Sequence, residues 1–149
     1  MSENDHRLFT KRCKAEHGDV LYSKDGATRG RPCFVDTNRE FSYFVSVALI
    51  KPLRDELDGH YLVHLLNSNW IKDRMVAKSR GDMIPHIVLG EIRAFPVPVP
   101  SLAEQRRIVA ELDALQAEVD AMQRLQSETA AELDALLPAI LDRAFKGEL

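Results

Sequence analysis

The sequence predicts an α+β fold: a small mixed sheet with helices over residues 1–100, followed by one long coiled-coil-forming helix over residues 101–149. Three observations predict it. Short β-forming stretches broken by Gly and Pro occupy the first half. Residues 95–100 carry proline at alternate positions and can only be extended. From Ser101 onward, apolar residues recur at 4-3 spacing for more than four heptads.

The elements follow in order. Residues 18–23 alternate with β-formers and read as a strand; residues 24–32, with two glycines and Pro32, read as a loop. Residues 33–36 form a short strand. Residues 41–51 are almost uniformly apolar and predict a longer strand covered on both faces, ended by Pro52. Asp58 can cap a helix in which Leu62, Leu65 and Leu66 share a face. Asn67-Ser68-Asn69 can restart a second helix through Trp70, Ile71 and Met75, terminated by Gly81. Residues 84–89 lead into a short element. Pro96, Pro98 and Pro100 then make an edge strand or a polyproline-like arm. Ser101 stops the extension and, with Glu104, has the spacing of a capping box.

In the helix, Ile108, Leu112, Leu115, Val119, Met122, Gln126, Thr129, Leu133, Leu136 and Ile140 trace a coiled-coil seam. A helix over residues 102–145 would span roughly 66 Å at 1.5 Å per residue, more than a domain of this size can cover. It therefore needs a partner along its length. Gln126 and Thr129 place a polar layer at mid-seam, the kind that sets register. Pro138 predicts a kink or fraying, and Arg143, Lys146 and Gly147 an ordinary C-terminal stop. Glu111, Asp113, Glu118, Asp120, Glu132 and Asp134 flank the seam without Lys or Arg, which discourages pairing of identical helices and welcomes a basic partner.

Composition excludes several classes. The 149 residues are 45% hydrophobic and 29% charged, which argues against disorder. No apolar run reaches the roughly 18 residues of a membrane helix, and the first residues are polar and charged, so the expected location is cytoplasmic. Cys13 and Cys33 lack metal or redox spacing and read as reduced thiols. The net charge of −3 hides a division: fifteen Lys and Arg face thirteen Asp and Glu up to Ala94, but five face ten from Phe95 onward. An acidic rod avoids phosphate, so any nucleic-acid contact belongs to the first part.

No catalytic constellation is present in the sequence. His60 and His64 lack the glutamate of H-E-x-x-H and a third ligand, and no metal site is expected. Residues 26–30 fall short of a P-loop, and no methyltransferase signature occurs. The basic residues are more informative. Lys24, Thr28, Arg29 and Arg31 crowd a glycine loop, and Lys72, Arg74, Lys78 and Arg80 precede Gly81 and His86. Arg can grip guanine bidentately while Lys and loop amides hold phosphate, so Lys24, Thr28, Arg29, Arg31, Lys78, Arg80 and His86 are candidate DNA contacts. An ordinary solvated charged face is the competing reading of each cluster.

Residues 18–21 with the loop 26–30, the segment 95–105 with its P-x-P and Glu104-Gln105, and residues 140–149 together resemble the DNA specificity subunits of type I restriction-modification systems. The resemblance covers most of the chain. It implies a target recognition domain that reads one half of a split site in double-stranded DNA. It also implies a spacer helix that pairs antiparallel with a second helix and docks methyltransferase subunits. The implied subunit is no enzyme and holds no cofactor: S-adenosylmethionine, ATP and magnesium belong to the methyltransferase and restriction subunits. Two departures stand out. Family members carry two domain-helix units and this sequence has one, so pairing would be as a homodimer or with another specificity subunit's helix. Their domains also begin well upstream of the glycine loop, whereas only Met1–His17 precede it here. A half-length or N-terminally incomplete form is expected. The alternative is an interaction protein acting through its helix alone, as a modulator of such an assembly without reading DNA.

Overall fold

A computed structural model describes residues 13–81, 83 and 85–147. Three strands, β1 (Val20–Ser23), β2 (Pro32–Phe34) and β3 (Val47–Ile50), form one sheet in the order β2-β1-β3. Both pairings are antiparallel, so the sheet is not mixed: Leu21 lies opposite Cys33 on one side and Leu49 on the other. Helices α1 (Gly59–Asn67), α2 (Asn69–Ala77), α3 (Leu89–Ala94) and α4 (Leu102–Phe145) follow. The chain divides into two compact units, one ending at Val109 and one beginning at Ala110.

In the first unit, β1 is central and alternates as a half-covered strand should: Val20 and Tyr22 are buried, Leu21 and Ser23 half-buried. Val20, Tyr22 and Ala48 meet Leu62 and Leu66 of α1, Ile71 and Met75 of α2, and Ile87 in one core. The spacing of Leu62 and Leu66, and of Ile71 and Met75, puts each pair on the buried side of its helix. Asp58 caps α1, its carboxylate accepting from the His60 and Tyr61 amides at 2.9 and 3.1 Å. Ser68 caps α2 through its bond from Ile71 N–H. At the head of β1 the buried Asp19 carboxylate accepts from Glu16 N–H at 2.8 Å and Lys51 Nζ at 2.9 Å. Hydrogen bonds to Glu16 and Asp19 hold the Lys51 ammonium above the usual lysine range.

Four expectations need correction. The apolar run 41–51 is a strand only at Val47–Ile50; Phe44 and Val45 are 75% and 70% exposed. A turn, Val47 N–H to Phe44 C=O at 3.0 Å, sets the start of β3, the edge strand in the order β2-β1-β3. Helix α2 ends at Ala77 with Lys78 as its cap, ahead of Gly81. The end of α4 does not fray at Pro138: the helix runs through it to Phe145. The capping box closes on one side only: Ser101 Oγ takes the Glu104 amide at 3.3 Å, while the Glu104 carboxylate turns to Arg107 at 2.7 Å.

The proline-rich residues 95–100 pair with no strand among the described residues and form an arm whose Phe95 and Val97 pack against the core. The arm is tied at its end by Gln105, a fully buried side chain of α4. Its Oε1 accepts from Asp58 N–H at 2.8 Å, and its Nε2 donates to Glu56 C=O and Pro100 C=O, each at 2.7 Å. One amide thus joins the entry of α1 to the entry of α4 and leaves none of its main valences unused. Gly59 is required nearby, because a Cβ there would lie 2.7 Å from the Phe34 ring and 2.9 Å from Gly18 C=O.

Candidate nucleic-acid interface

Two basic segments separated by some fifty positions in the sequence meet on one side of the first unit. Backbone hydrogen bonds bring them together. Gly26 N–H donates to Pro85 C=O at 2.9 Å and Ile87 N–H to Lys24 C=O at 2.7 Å, while Arg80 and His86 exchange bonds of 2.9 and 2.8 Å. The glycine loop, the chain after α2 and the segment 85–87 therefore form one small antiparallel patch. Gly30 closes the loop with a φ of +84°, which L side chains rarely adopt, and a Cβ there would press on Val76 at 3.3 Å. The loop is thereby seated on α2.

Within this patch the candidate residues have different occupations. Arg31 and Thr28 are exposed; Thr28 Oγ1 lies 3.2 Å from Ser23 Oγ. Arg29 is half-buried and acts as a staple: Nε donates to Ser79 Oγ at 3.0 Å and its terminal nitrogen to Gly26 C=O at 3.1 Å. Lys24 is largely covered and bonded to Asp25 at 2.9 Å. Lys78 Nζ lies 2.6 Å from Glu91 Oε2, and Arg80 reaches the other oxygen of that carboxylate at 3.6 Å while remaining 69% exposed. The Lys78 hydrogen bond, more than the charge of Arg80, holds the Glu91 carboxyl below its ordinary range. His86 is half-buried and enters the patch through its backbone. Lys72 packs its stem near Gly30, and Arg74 lies over the Trp70 ring at 4.4 Å.

Sequence reasoning missed Glu91, Ser79 and Gln105 as organising residues. Gln105 had a signal in the Glu104-Gln105 pair at the helix entry. Glu91 and Ser79 had none, since each matters only through a partner distant in the chain. His60 stacks on Phe34 at 3.8 Å between ring centroids, and no cluster of metal-ligating side chains occurs among the described residues.

The seam residues of α4 form the second candidate surface. Leu112, Leu115, Val119, Met122, Leu133, Leu136 and Ile140 are all exposed, Gln126 lies exposed among them, and Ile108 is half-buried. Leu125, Leu137 and Leu141 are exposed as well and widen the stripe beyond a strict seam. With Leu112 at position a, Glu111, Glu118 and Glu132 occupy g, and Asp113, Asp120 and Asp134 fall one step farther out at b. No helix among the described residues is long and apolar enough to cross a membrane.

A small α+β unit with a basic loop face is thus continued by a helix with an exposed apolar stripe. The chain belongs to the type I restriction modification DNA specificity domain family, whose model matches residues 4–129. It is 30% identical over 132 residues to the type I restriction enzyme EcoDI specificity subunit of Escherichia coli, covering 89% of this chain and 29% of that protein. It is 29% identical over 142 residues to the EcoBI specificity subunit of the same species, covering 95% and 30%. Among solved structures, the HsdS subunit from Thermoanaerobacter tengcongensis matches with a TM-score of 0.67 and 26% identity over 83% of this chain and 32% of that one. A structure described as the basis of complex assembly and conformational transition of the type I R-M system matches with a TM-score of 0.73 and 34% identity, over 91% and 32%. The chain thus spans about three tenths of the length of these relatives.

Proposed function

We propose that this chain is a non-catalytic DNA-recognition unit of a type I restriction-modification complex, working in the cytoplasm. Its glycine-loop face approaches double-stranded DNA. Its seam pairs with a second helix, from another copy or another specificity subunit, and offers a docking surface to methyltransferase and, through the assembly, restriction subunits. On this reading the cofactors of the complex belong to those partners. The observation that carries the proposal is the convergence of the two basic segments through the bonds between residues 24–26 and 85–87, on a chain of this family. Loop amides and exposed Arg side chains are the groups that hold phosphate and read base edges.

The test is a salt titration of the purified chain with random duplex DNA, comparing wild type with an Arg31→Ala variant. Arg31 is chosen because it is exposed, whereas Arg29 holds the loop together and Arg80 shares Glu91 with Lys78. The variant should bind more weakly, and its salt dependence should flatten by about 0.9 in log–log slope for each phosphate it no longer neutralises. Equal affinity and slope would refute the loop face as a DNA surface. The uncovered seam favours a second reading, an interaction protein acting through α4; on it, wild type would assemble but bind duplex at no salt concentration.

A further inference from the structure

Glu91 stands on α3 in the middle of the basic face, and its carboxylate holds two of the candidate DNA contacts at once: Lys78 at 2.6 Å by one oxygen and Arg80 at 3.6 Å by the other. Glu91 is only about a quarter exposed, whereas Lys78 and Arg80 are 47% and 69% exposed, so the acid sits beneath the two cations. Arg80 is itself fixed at the backbone by its paired bonds with His86, which places the site beside the glycine loop. A phosphate approaching Lys78 or Arg80 meets cations whose nearest anion is already in place. We propose, resting on the reading of this face as a DNA surface, that Glu91 sets the non-specific DNA affinity of this face: it withholds Lys78 and Arg80 from random duplex by occupying them internally. Non-specific binding is dominated by phosphate neutralisation and counterion release, so occupying two cations weakens it and flattens its salt dependence. Base-edge contacts made by the rest of the face are left untouched.

The test uses the full chain and a random duplex of about twenty base pairs, titrated with salt for wild type, Glu91→Gln and Lys78→Met/Glu91→Gln, with thermal melts alongside. If Glu91→Gln frees both cations, its slope steepens by about 1.8, so between 50 and 200 mM salt it loses roughly twelvefold more affinity than wild type does. At the low-salt end it binds more tightly. The double variant should keep about half of the added slope, because Arg80 alone remains. A merely structural ion pair would shift the melt and leave the slope alone. Tighter binding and a steeper slope in Glu91→Gln support the proposal, including the case in which wild type binds too weakly to measure. Wild-type binding with an unchanged slope in Glu91→Gln overturns the role of Glu91 and leaves the DNA surface standing. Absence of binding by all three proteins overturns both.

Discussion

Replacing Gln105 by Ala removes a buried amide that makes three short hydrogen bonds, to Asp58 N–H, Glu56 C=O and Pro100 C=O. At about 1 kcal/mol net per bond the expected loss is about 3 kcal/mol, and more if the Asp58 amide stays dry and unpaired. For a unit of this size that is a fall in Tm on the order of 10–20 °C. Trp70, the single tryptophan of the chain, is half-exposed against Phe95, so its fluorescence in a urea titration follows the first unit and not the long helix. Gln105→Glu sharpens the argument. A carboxyl can accept from Asp58 N–H but, when charged, faces the two carbonyl oxygens with no proton to offer. Burial and those oxygens raise its folded-state pKa above the unfolded value of about 4.3. The variant should therefore lie nearest wild type below that pH and lose stability relative to it as pH rises through the folded-state pKa. A Gln105→Ala midpoint within about 0.5 kcal/mol of wild type, or a Gln105→Glu deficit independent of pH, would refute Gln105 as the tie between arm, α1 and α4; the 0.5 kcal/mol margin is the ordinary scatter of surface substitutions.

Gly59→Ala should destabilise the first unit by about 1–3 kcal/mol in the same urea titration, because the new methyl group meets Gly18 backbone oxygen as well as a movable ring; an unchanged midpoint would mean the strand-to-helix approach is looser than described. Val119→Lys with Leu133→Lys should reduce whatever assembly α4 supports to a lighter species in light scattering, down to the 16.9 kDa single chain if wild type self-associates. The same mass for both proteins in the presence of their partner would refute the seam.

Periodicity made α4 and its seam legible, since each heptad position depends only on residues three and four away. Caps were legible for the same reason: Asp58 and Ser68 act on amides two or three residues ahead. The run 41–51 misled because hydrophobicity reports burial or exposure to a partner alike, and a turn at Phe44–Val47 sets the strand's true start. Local chemistry could not anticipate that the Glu104 carboxylate would choose Arg107 over the Ser101 amide, since two partners of similar reach were available.

The candidate site divides in the same way. Loop glycines, clustered Arg and Lys, and the proline arm are properties of contiguous residues, readable from the chain as a string together with the family they mark. Which cation is left available emerges only once the chain is folded. Arg29 is bonded to Ser79, Lys78 and Arg80 share Glu91, and Arg31 stays exposed, although all four look equivalent as charges in a string. The physical reason is that a side chain's electrostatic availability depends on the nearest opposite charge or acceptor in space, and for these residues that partner is supplied by chain closure over ten to fifty positions, which short-range patterning does not encode.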